Sequence, residues 1–169
     1  GEPFIRIGYA EQQFILAEAV LRKWITGEGA ESYYRSGIRA AMEFTAANTP
    51  VKYRHGVKID DAYIASYLEG PQVKFGASAA ENLNRIYKQK YMLYFLQHEW
   101  DAFFECRRTG VPELPVNPST NMNTDPSKMP VRWMYPQTEY DRNNANVMEA
   151  IARQYDGLDN ENCIMWLLK

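Results

Sequence analysis

The fold is decided by two amphipathic stretches near the start of the chain. Residues 9–45 read YAEQQFILAEAVLRKWITGEGAESYYRSGIRAAMEFT. In the first half, apolar side chains recur three and four positions apart, which places them on one face of an α-helix. A glycine-containing run at residues 26–29 breaks the pattern, and a second helical pattern follows, with Gly37 where two helix backbones could approach closely. The stretch predicts an antiparallel helical hairpin over about residues 10–47.

A longer helical pattern occupies the middle of the chain. Ser78 and Glu81 have the spacing of a capping box, in which each side chain accepts from a free backbone N–H of the first turn. Apolar residues then continue at helical spacing until Gly110 and the proline that follows it. The pattern predicts one long helix over about residues 79–109.

The remainder of the chain is rich in proline. Six of the nine prolines lie between Pro112 and Pro136, so we expect a proline-rich loop over residues 110–138, held against the rest of the protein. A final helix is predicted over about residues 142–156. No segment has the composition of a linker, and the sequence predicts one all-α domain, mainly helical with long irregular loops.

Composition excludes several classes of function. The 169 residues carry 19 basic and 21 acidic side chains, which argues against a broad nucleic-acid-binding face. No apolar run reaches the roughly 18 residues that a membrane span needs. The two cysteines, Cys106 and Cys163, are too few for a disulfide scaffold, and the sequence leaves open whether they pair.

The titratable residues give no strong catalytic signal. The chain has only two histidines, His55 and His98, and none of the common hydrolase or nucleotide-binding motifs. Asp101 and Glu105 are one helical turn apart, and a glycoside hydrolase could use such a pair only if it flanked a sugar cleft. Because two arginines follow them, a salt-bridged helix face is the favoured interpretation. We expect no catalytic residues.

An acidic run near the end of the chain could suggest a metal site. Asp156, Asp159, Asn160 and Glu161 carry oxygen ligands, but their spacing differs from that of a calcium-binding loop. A turn that ends the last helix is the favoured interpretation. The residues therefore predict no metal site and no cofactor.

Aromatic residues make up 14% of the chain and supply the best candidates for ligand binding. Tyrosine and tryptophan rings in loops can stack on the CH-rich faces of sugars or on peptide side chains. The loop aromatics that we select as candidate ligand-binding residues are Trp133, Tyr135, Tyr53 and Phe75.

Several phrases of the sequence, in order along nearly the whole chain, resemble the C-terminal part of SusD/RagB-type nutrient-binding lipoproteins. Each phrase alone is weak, but the ordered set is specific. Residues 107–112 read RRTGVP, and residues 130–136 read PVRWMYP. The other matching phrases lie at residues 9–19, 33–42, 86–91 and 139–143.

The resemblance implies a fold and a function. The fold would be a tetratricopeptide-like helix pair plus a C-terminal helical subdomain, with residues 1–169 as the C-terminal fragment of a longer protein. That protein would bind oligosaccharides without catalysis or cofactors. It would face the cell surface at the outer membrane and be lipid-anchored through an N-terminal region absent from this chain. Its implied partners are a SusC-like TonB-dependent transporter, an oligosaccharide or peptide, and the remaining N-terminal part of the same protein.

The resemblance also implies structural roles for four residues of its motifs. Arg107 and Arg108 would anchor the long helix to the proline-rich loop through charge-assisted hydrogen bonds. Arg132 and Glu139 belong to the second phrase. In the family, ligands are bound largely by loops upstream of this region, so Trp133 and Tyr135 are expected only at the rim of a site.

Two alternatives remain open from the sequence. The helix pair could be a protein–protein interaction scaffold with no small ligand, because such pairs bury their faces against neighbours. The chain could also belong to a peptide-binding member of the same family. The residues do not identify the glycan or decide between glycan and peptide.

Overall fold

The computed structural model of the protein describes residues 5–98 and 100–168. These residues form six α-helices and two short 3₁₀ turns, Val51–Tyr53 and Trp166–Leu168, and they contain no β-strand, which confirms the all-α prediction. The helices are α1 (Tyr9–Leu21), α2 (Ala30–Asn48), α3 (Asp61–Leu68), α4 (Ala79–Tyr94), α5 (Asp101–Thr109) and α6 (Gln137–Tyr155).

The chain divides into two compact units. The first unit is Gly1–Pro112 and the second unit is Glu113–Lys169. The boundary falls at the start of the proline-rich segment, where the loss of backbone N–H donors stops regular helix packing.

The first unit is organised around α1, which packs against both α2 and α4. Asp60 caps α3 by accepting from the backbone N–H of Tyr63, and Ser78 caps α4 by accepting from that of Glu81. Burial of one apolar face per helix forms the core. The buried core residues are Phe14, Ala17, Tyr34, Ile38, Ile64, Leu68, Val73, Ile86 and Tyr87.

Gly37 provides space for an aromatic ring. The expected role was close approach of two helix backbones, but the neighbour is the side chain of Phe14, which is 1% exposed. A Cβ atom added at Gly37 would lie 2.7 Å from Cε1 of Phe14, closer than real Cβ atoms approach their neighbours. Position 37 therefore requires glycine because of packing.

We expect Gly37→Ala to lower the free energy of unfolding by about 1–3 kcal/mol through overpacking. The higher helix propensity of alanine offsets part of this cost, up to about 1 kcal/mol, so the net loss that we expect is about 1–2 kcal/mol. The Phe14 ring has little freedom to move, because the Tyr34 ring lies 6.2 Å away, centroid to centroid. Urea unfolding followed by circular dichroism tests this. Gly29→Ala, where the added Cβ meets open space, is the control, and a Gly37→Ala variant as stable as the parent would contradict the prediction.

The long helix predicted over residues 79–109 is in fact two helices. The chain leaves the helix at Phe95 (ψ 118°), and Leu96 has a left-handed φ of 61°. Lys90 and Glu105 are in contact, with Nζ 2.7 Å from Oε1. In a continuous helix the two residues would be about 22 Å apart along the axis, so α5 folds back beside α4. The sequence concealed the break, because no glycine or proline marks it and apolar residues continue through it.

The helix of the second unit begins earlier than the predicted residue 142. α6 starts at Gln137, directly after Pro136, and bends at Asn143, whose φ of −141° is not helical. The residues before the bend carry no apolar periodicity, so the sequence pattern reports only the part after it. That part buries Val147 and Ile151.

Candidate functional site

The four candidate ligand-binding aromatics have different surroundings. In the second unit Trp133 is 53% exposed and Tyr135 is half-buried. In the first unit Tyr53 is 58% exposed, whereas the Phe75 ring lies 4.9 Å from that of Tyr34 and packs against the core. Phe75 is thus partly buried against the core, and its contact with a ligand stays a prediction.

The segment that carries Trp133 and Tyr135 is held by a buried ion pair. Arg132, 6% exposed, donates from Nη1 to Oδ1 of Asp159 and, at 3.0 Å, to the carbonyl of Asn160. Its guanidinium lies 4.2 Å from the centre of the Tyr155 ring. We call the following residues the Arg132 cluster: Arg132, Tyr135, Tyr140, Tyr155 and Asp159.

The other oxygen of Asp159 completes the Arg132 cluster. Oδ2 accepts from the backbone N–H of Tyr135 at 2.9 Å and from the hydroxyl of Tyr140 at 2.6 Å. Burial raises the pKa of Asp159, but hydrogen bonds from Tyr140 and Arg132 outweigh burial and lower it. Glu139, the fourth motif residue, is exposed in the first turn of α6. The cluster fixes the backbone on both sides of Trp133.

Arg107 and Arg108 act within the first unit. Arg108 donates from Nη1 and Nη2 to the two carboxylate oxygens of Glu18 at 2.9 and 2.8 Å, and it also binds Glu105. The Arg107 guanidinium lies 5.1 Å from the centre of the Phe104 ring. The expectation that this pair anchors the proline-rich loop is corrected for Arg108, whose carboxylate partners lie on α1 and α5.

Glu18 and Glu105 are the two buried anions of a larger network, whose cations Arg22 and Arg108 are partly exposed. Glu18, 5% exposed, also accepts from Arg22 at 2.8 Å and from the Tyr87 hydroxyl at 3.0 Å. Glu105 accepts hydrogen bonds from Lys90 and from Arg108. The network joins α1, α4 and α5 by charge-assisted hydrogen bonds. We call the following residues the Glu18 network: Glu18, Arg22, Tyr87, Lys90, Glu105 and Arg108.

The Glu18 network makes stability depend on pH. Burial raises the pKa of Glu18, but hydrogen bonds from Arg108 and Arg22 lower it from 4.5 to about 2. Ionised Glu18 therefore stabilises the fold above its ordinary pKa, and this stabilisation is lost as the pH falls from about 4.5 towards 2.

We expect Glu18→Gln to flatten the pH dependence of the free energy of unfolding in the window between about pH 4.5 and 2. Urea unfolding at a series of pH values tests this, and wild-type and variant curves that stay parallel would contradict it.

Asp101 and Glu105, the acid pair that a glycoside hydrolase would need, both make other contacts. Glu105 is buried with Lys90 and Arg108, whose hydrogen bonds overcome the effect of burial and lower its pKa. A carboxylate held ionised by two cations is a poor general acid. The Nδ1 atom of His98 lies 2.8 Å from Oδ2 of Asp101, within hydrogen-bond distance. Glu105 is therefore used in ion pairs and Asp101 in a contact with His98.

The acidic run after α6 is also used in structural contacts. Asp159 belongs to the Arg132 cluster, and Glu161 accepts from the backbone N–H and the hydroxyl of Thr124. Within residues 5–98 and 100–168, no group of three or more histidine, cysteine or acidic side chains could hold a metal ion. Cys106 and Cys163 are both free thiols.

The first unit contains a cavity that the sequence did not reveal. It measures about 460 Å³ and is lined by residues of α1, α2, α3 and α4 and of the turn after α4. Its walls are mainly aliphatic and aromatic, with Glu11 as a carboxylate among them. The only sequence signal was Glu11 in the first turn of the apolar helix α1, and an acidic residue is common at that place in a helix.

Comparison with known families gives one match to the chain. Residues 1–136 match a SusD-like family described as starch-binding and associated with the outer membrane. No curated protein matches the sequence.

Comparison with solved structures identifies several relatives. One SusD homologue of Bacteroides fragilis is 47% identical over 100% of this chain and 36% of its own, with a TM-score of 0.91. A second from the same species is 42% identical over 99% of this chain and 36% of its own, with a TM-score of 0.85. A candidate outer-membrane protein of Bacteroides vulgatus, with a suggested part in nutrient binding, is 36% identical over 99% of this chain and 35% of its own (TM-score 0.84).

The chain thus spans about a third of the length of these relatives. The resemblance noted in the sequence is confirmed by the family match and by the structures, which agree over both the helical first unit and the proline-rich segment. On this evidence the chain belongs to the SusD-like family.

Proposed function

We propose that this chain is part of a non-catalytic nutrient-binding protein that captures oligosaccharides at the outer membrane for import by a TonB-dependent transporter. The observation that carries the proposal is the family match over residues 1–136, whose description is starch binding at the outer membrane. The use of Glu105 in ion pairs and of Asp101 in a contact with His98 supports a role in binding rather than hydrolysis.

Trp133 is the best candidate for contact with a sugar. Its ring is 53% exposed, and the Arg132 cluster fixes the backbone beside it. An aromatic face held by a rigid support loses little entropy when a sugar ring stacks on it. Tyr135 is half-buried next to it in sequence, which suits a place at the rim of the same surface.

The proposal includes a place in the cell. No helix in the described part of the chain is long and apolar enough to cross a membrane. Attachment to the outer membrane would come from a lipid anchor in an N-terminal part of the protein, with the binding surface facing out of the cell. The partners proposed are that N-terminal part and a SusC-like transporter.

Binding to a panel of immobilised oligosaccharides tests the proposal. We expect saturable binding to at least one glycan, weakened about tenfold by Trp133→Ala, because covering one face of the ring contributes roughly 1–2 kcal/mol and about 1.4 kcal/mol is a factor of ten in affinity. Trp24→Ala is the matched control, since Trp24 is 68% exposed in the loop between α1 and α2 and belongs to no proposed site. Absence of binding to every glycan, or equal loss in both variants, would contradict the proposal.

A further inference from the structure

We propose that the cavity of the first unit binds an organic cation, a protonated amine or a guanidinium group attached to an apolar body. The volume of about 460 Å³ lies in the range of small-molecule sites. The inference goes beyond the nutrient-binding proposal, because it concerns another unit of the chain and holds whether or not Trp133 contacts a glycan.

The charge of the ligand follows from Glu11. One carboxylate oxygen, Oε1, accepts from the Tyr94 hydroxyl at 2.8 Å. The other, Oε2, is buried and has no hydrogen-bond partner among the described residues. A buried carboxylate oxygen without a donor is costly, so a ligand that donates a charge-assisted hydrogen bond there gains the energy of satisfying it.

The remaining polar groups do not supply that cation. Among the described lining residues, Glu11 is the only carboxylate, and there is no lysine or arginine. His98 also lines the cavity, but its Nδ1 faces Asp101. Gln89 and Tyr67 bind each other at 3.0 Å. The cavity is therefore anionic at one point, and this favours a cation over a neutral or acidic ligand.

The shape of the ligand follows from the walls. Phe14, Ile38, Met42, Leu93 and Phe95 present apolar side chains to the cavity. A neutral oligosaccharide would leave most of its hydroxyl groups without partners against such walls. An aromatic or aliphatic body of a few carbons fits them, whether it is a free amine or the basic side chain of a peptide.

Methionine methyl groups report on binding directly. Met42 and Met92 line the cavity, and the other five methionines of the chain lie in the second unit. In protein labelled with ¹³C at the methionine methyls, 2-phenylethylammonium should shift the resonances of Met42 and Met92 saturably, without shifts in the second unit. The neutral isostere 2-phenylethanol should bind at least about tenfold more weakly, because it lacks the charge.

Variants separate the role of Glu11 from a general apolar effect. Glu11→Gln keeps the shape of the side chain and should remove the preference for the ammonium probe, whereas Glu139→Gln, exposed in the second unit, should retain it. Ala41→Leu extends a lining side chain into the cavity and should weaken both probes. Equal binding of the two probes to the wild-type protein, no shift with either, or a preference that persists in Glu11→Gln would overturn the proposal.

The source of the ligand is decided by a second titration. An acetylated, amidated Phe-Lys dipeptide carries the same charge on a peptide. If it binds more tightly than 2-phenylethylammonium at Met42 and Met92, the natural ligand is a basic peptide. If only the free amine binds, the ligand is a small amine. Failure of both would overturn this proposal while leaving the glycan-binding test at Trp133 unaffected.

Discussion

Replacing Glu18 with alanine is expected to lower the free energy of unfolding by about 2–3 kcal/mol, because several charge-assisted hydrogen bonds to a buried carboxylate are lost, while its partners Arg108 and Arg22, whose side chains are 43% and 36% exposed, can be hydrated. The side chain of Glu18 accepts four hydrogen bonds, one from Arg22, one from Tyr87 and two from Arg108. Without it, Arg108 retains only Glu105 as a carboxylate partner. Because domains of this size are stabilised by about 5–15 kcal/mol, a large part of the stability should disappear.

Urea unfolding monitored by circular dichroism measures this loss. The matched control is Glu31→Ala, because Glu31 forms an exposed ion pair with Arg35 on α2 at 3.8 Å. Such pairs contribute about 0–1 kcal/mol, so the control should unfold close to the wild-type midpoint. If Glu18→Ala and Glu31→Ala unfolded at similar urea concentrations, the Glu18 network would not be the connection between α1, α4 and α5 that its contacts indicate.

Arg132→Ala should have a larger effect in the second unit, about 3–5 kcal/mol, because both partners of this ion pair are buried. The side chains of Arg132 and Asp159 are only 5% and 6% exposed. Removing the guanidinium leaves Asp159 buried with neutral donors, Tyr140 and the backbone of Tyr135. The segment that carries Trp133 would lose its main attachment.

Amide hydrogen exchange resolves this effect by unit. We expect faster exchange in α6, around Val147 and Ile151, and little change in α1 and α2. Arg153→Ala is the control, because Arg153 pairs with Glu149 on the exposed surface of the same helix at 3.0 Å. Exchange in α6 that is as slow in Arg132→Ala as in Arg153→Ala would show that the Arg132 cluster does not hold the second unit together.

Local patterns in the sequence predicted the helices but not the places where they end early. The α1–α2 hairpin and the Ser78 cap depend on spacings of three and four residues, which a single sequence shows directly. The break at Leu96 has no such signal, because the apolar spacing of the flanking residues is the same with or without it. The bend at Asn143 has no signal either. The helical residues before it are mainly polar, so no apolar pattern shows that the helix begins there.

The sites show the same distinction between local and distant contacts. Arg108 and Arg132 could be singled out by their motifs. However, Glu18, one of the two carboxylate partners of Arg108, lies 90 residues away in the sequence, and Asp159, the partner of Arg132, lies 27 residues away. In the sequence Phe75 is one loop aromatic among several, and only the structure shows that its ring lies against that of Tyr34. The cavity next to Glu11 depends on four helices at once, and no pattern along the chain reports such an arrangement.

The central claim, capture of a sugar without cleavage, is tested most directly by the mass of the bound ligand. The protein is incubated for a long period with an oligosaccharide that it binds in the panel. The complex is then separated from free sugar, and the mass of the released ligand is measured by mass spectrometry. The account predicts a ligand of unchanged mass, bound by the wild-type protein and reduced in Trp133→Ala. Shortened products that accumulate with time, or no retained sugar at all, would contradict it.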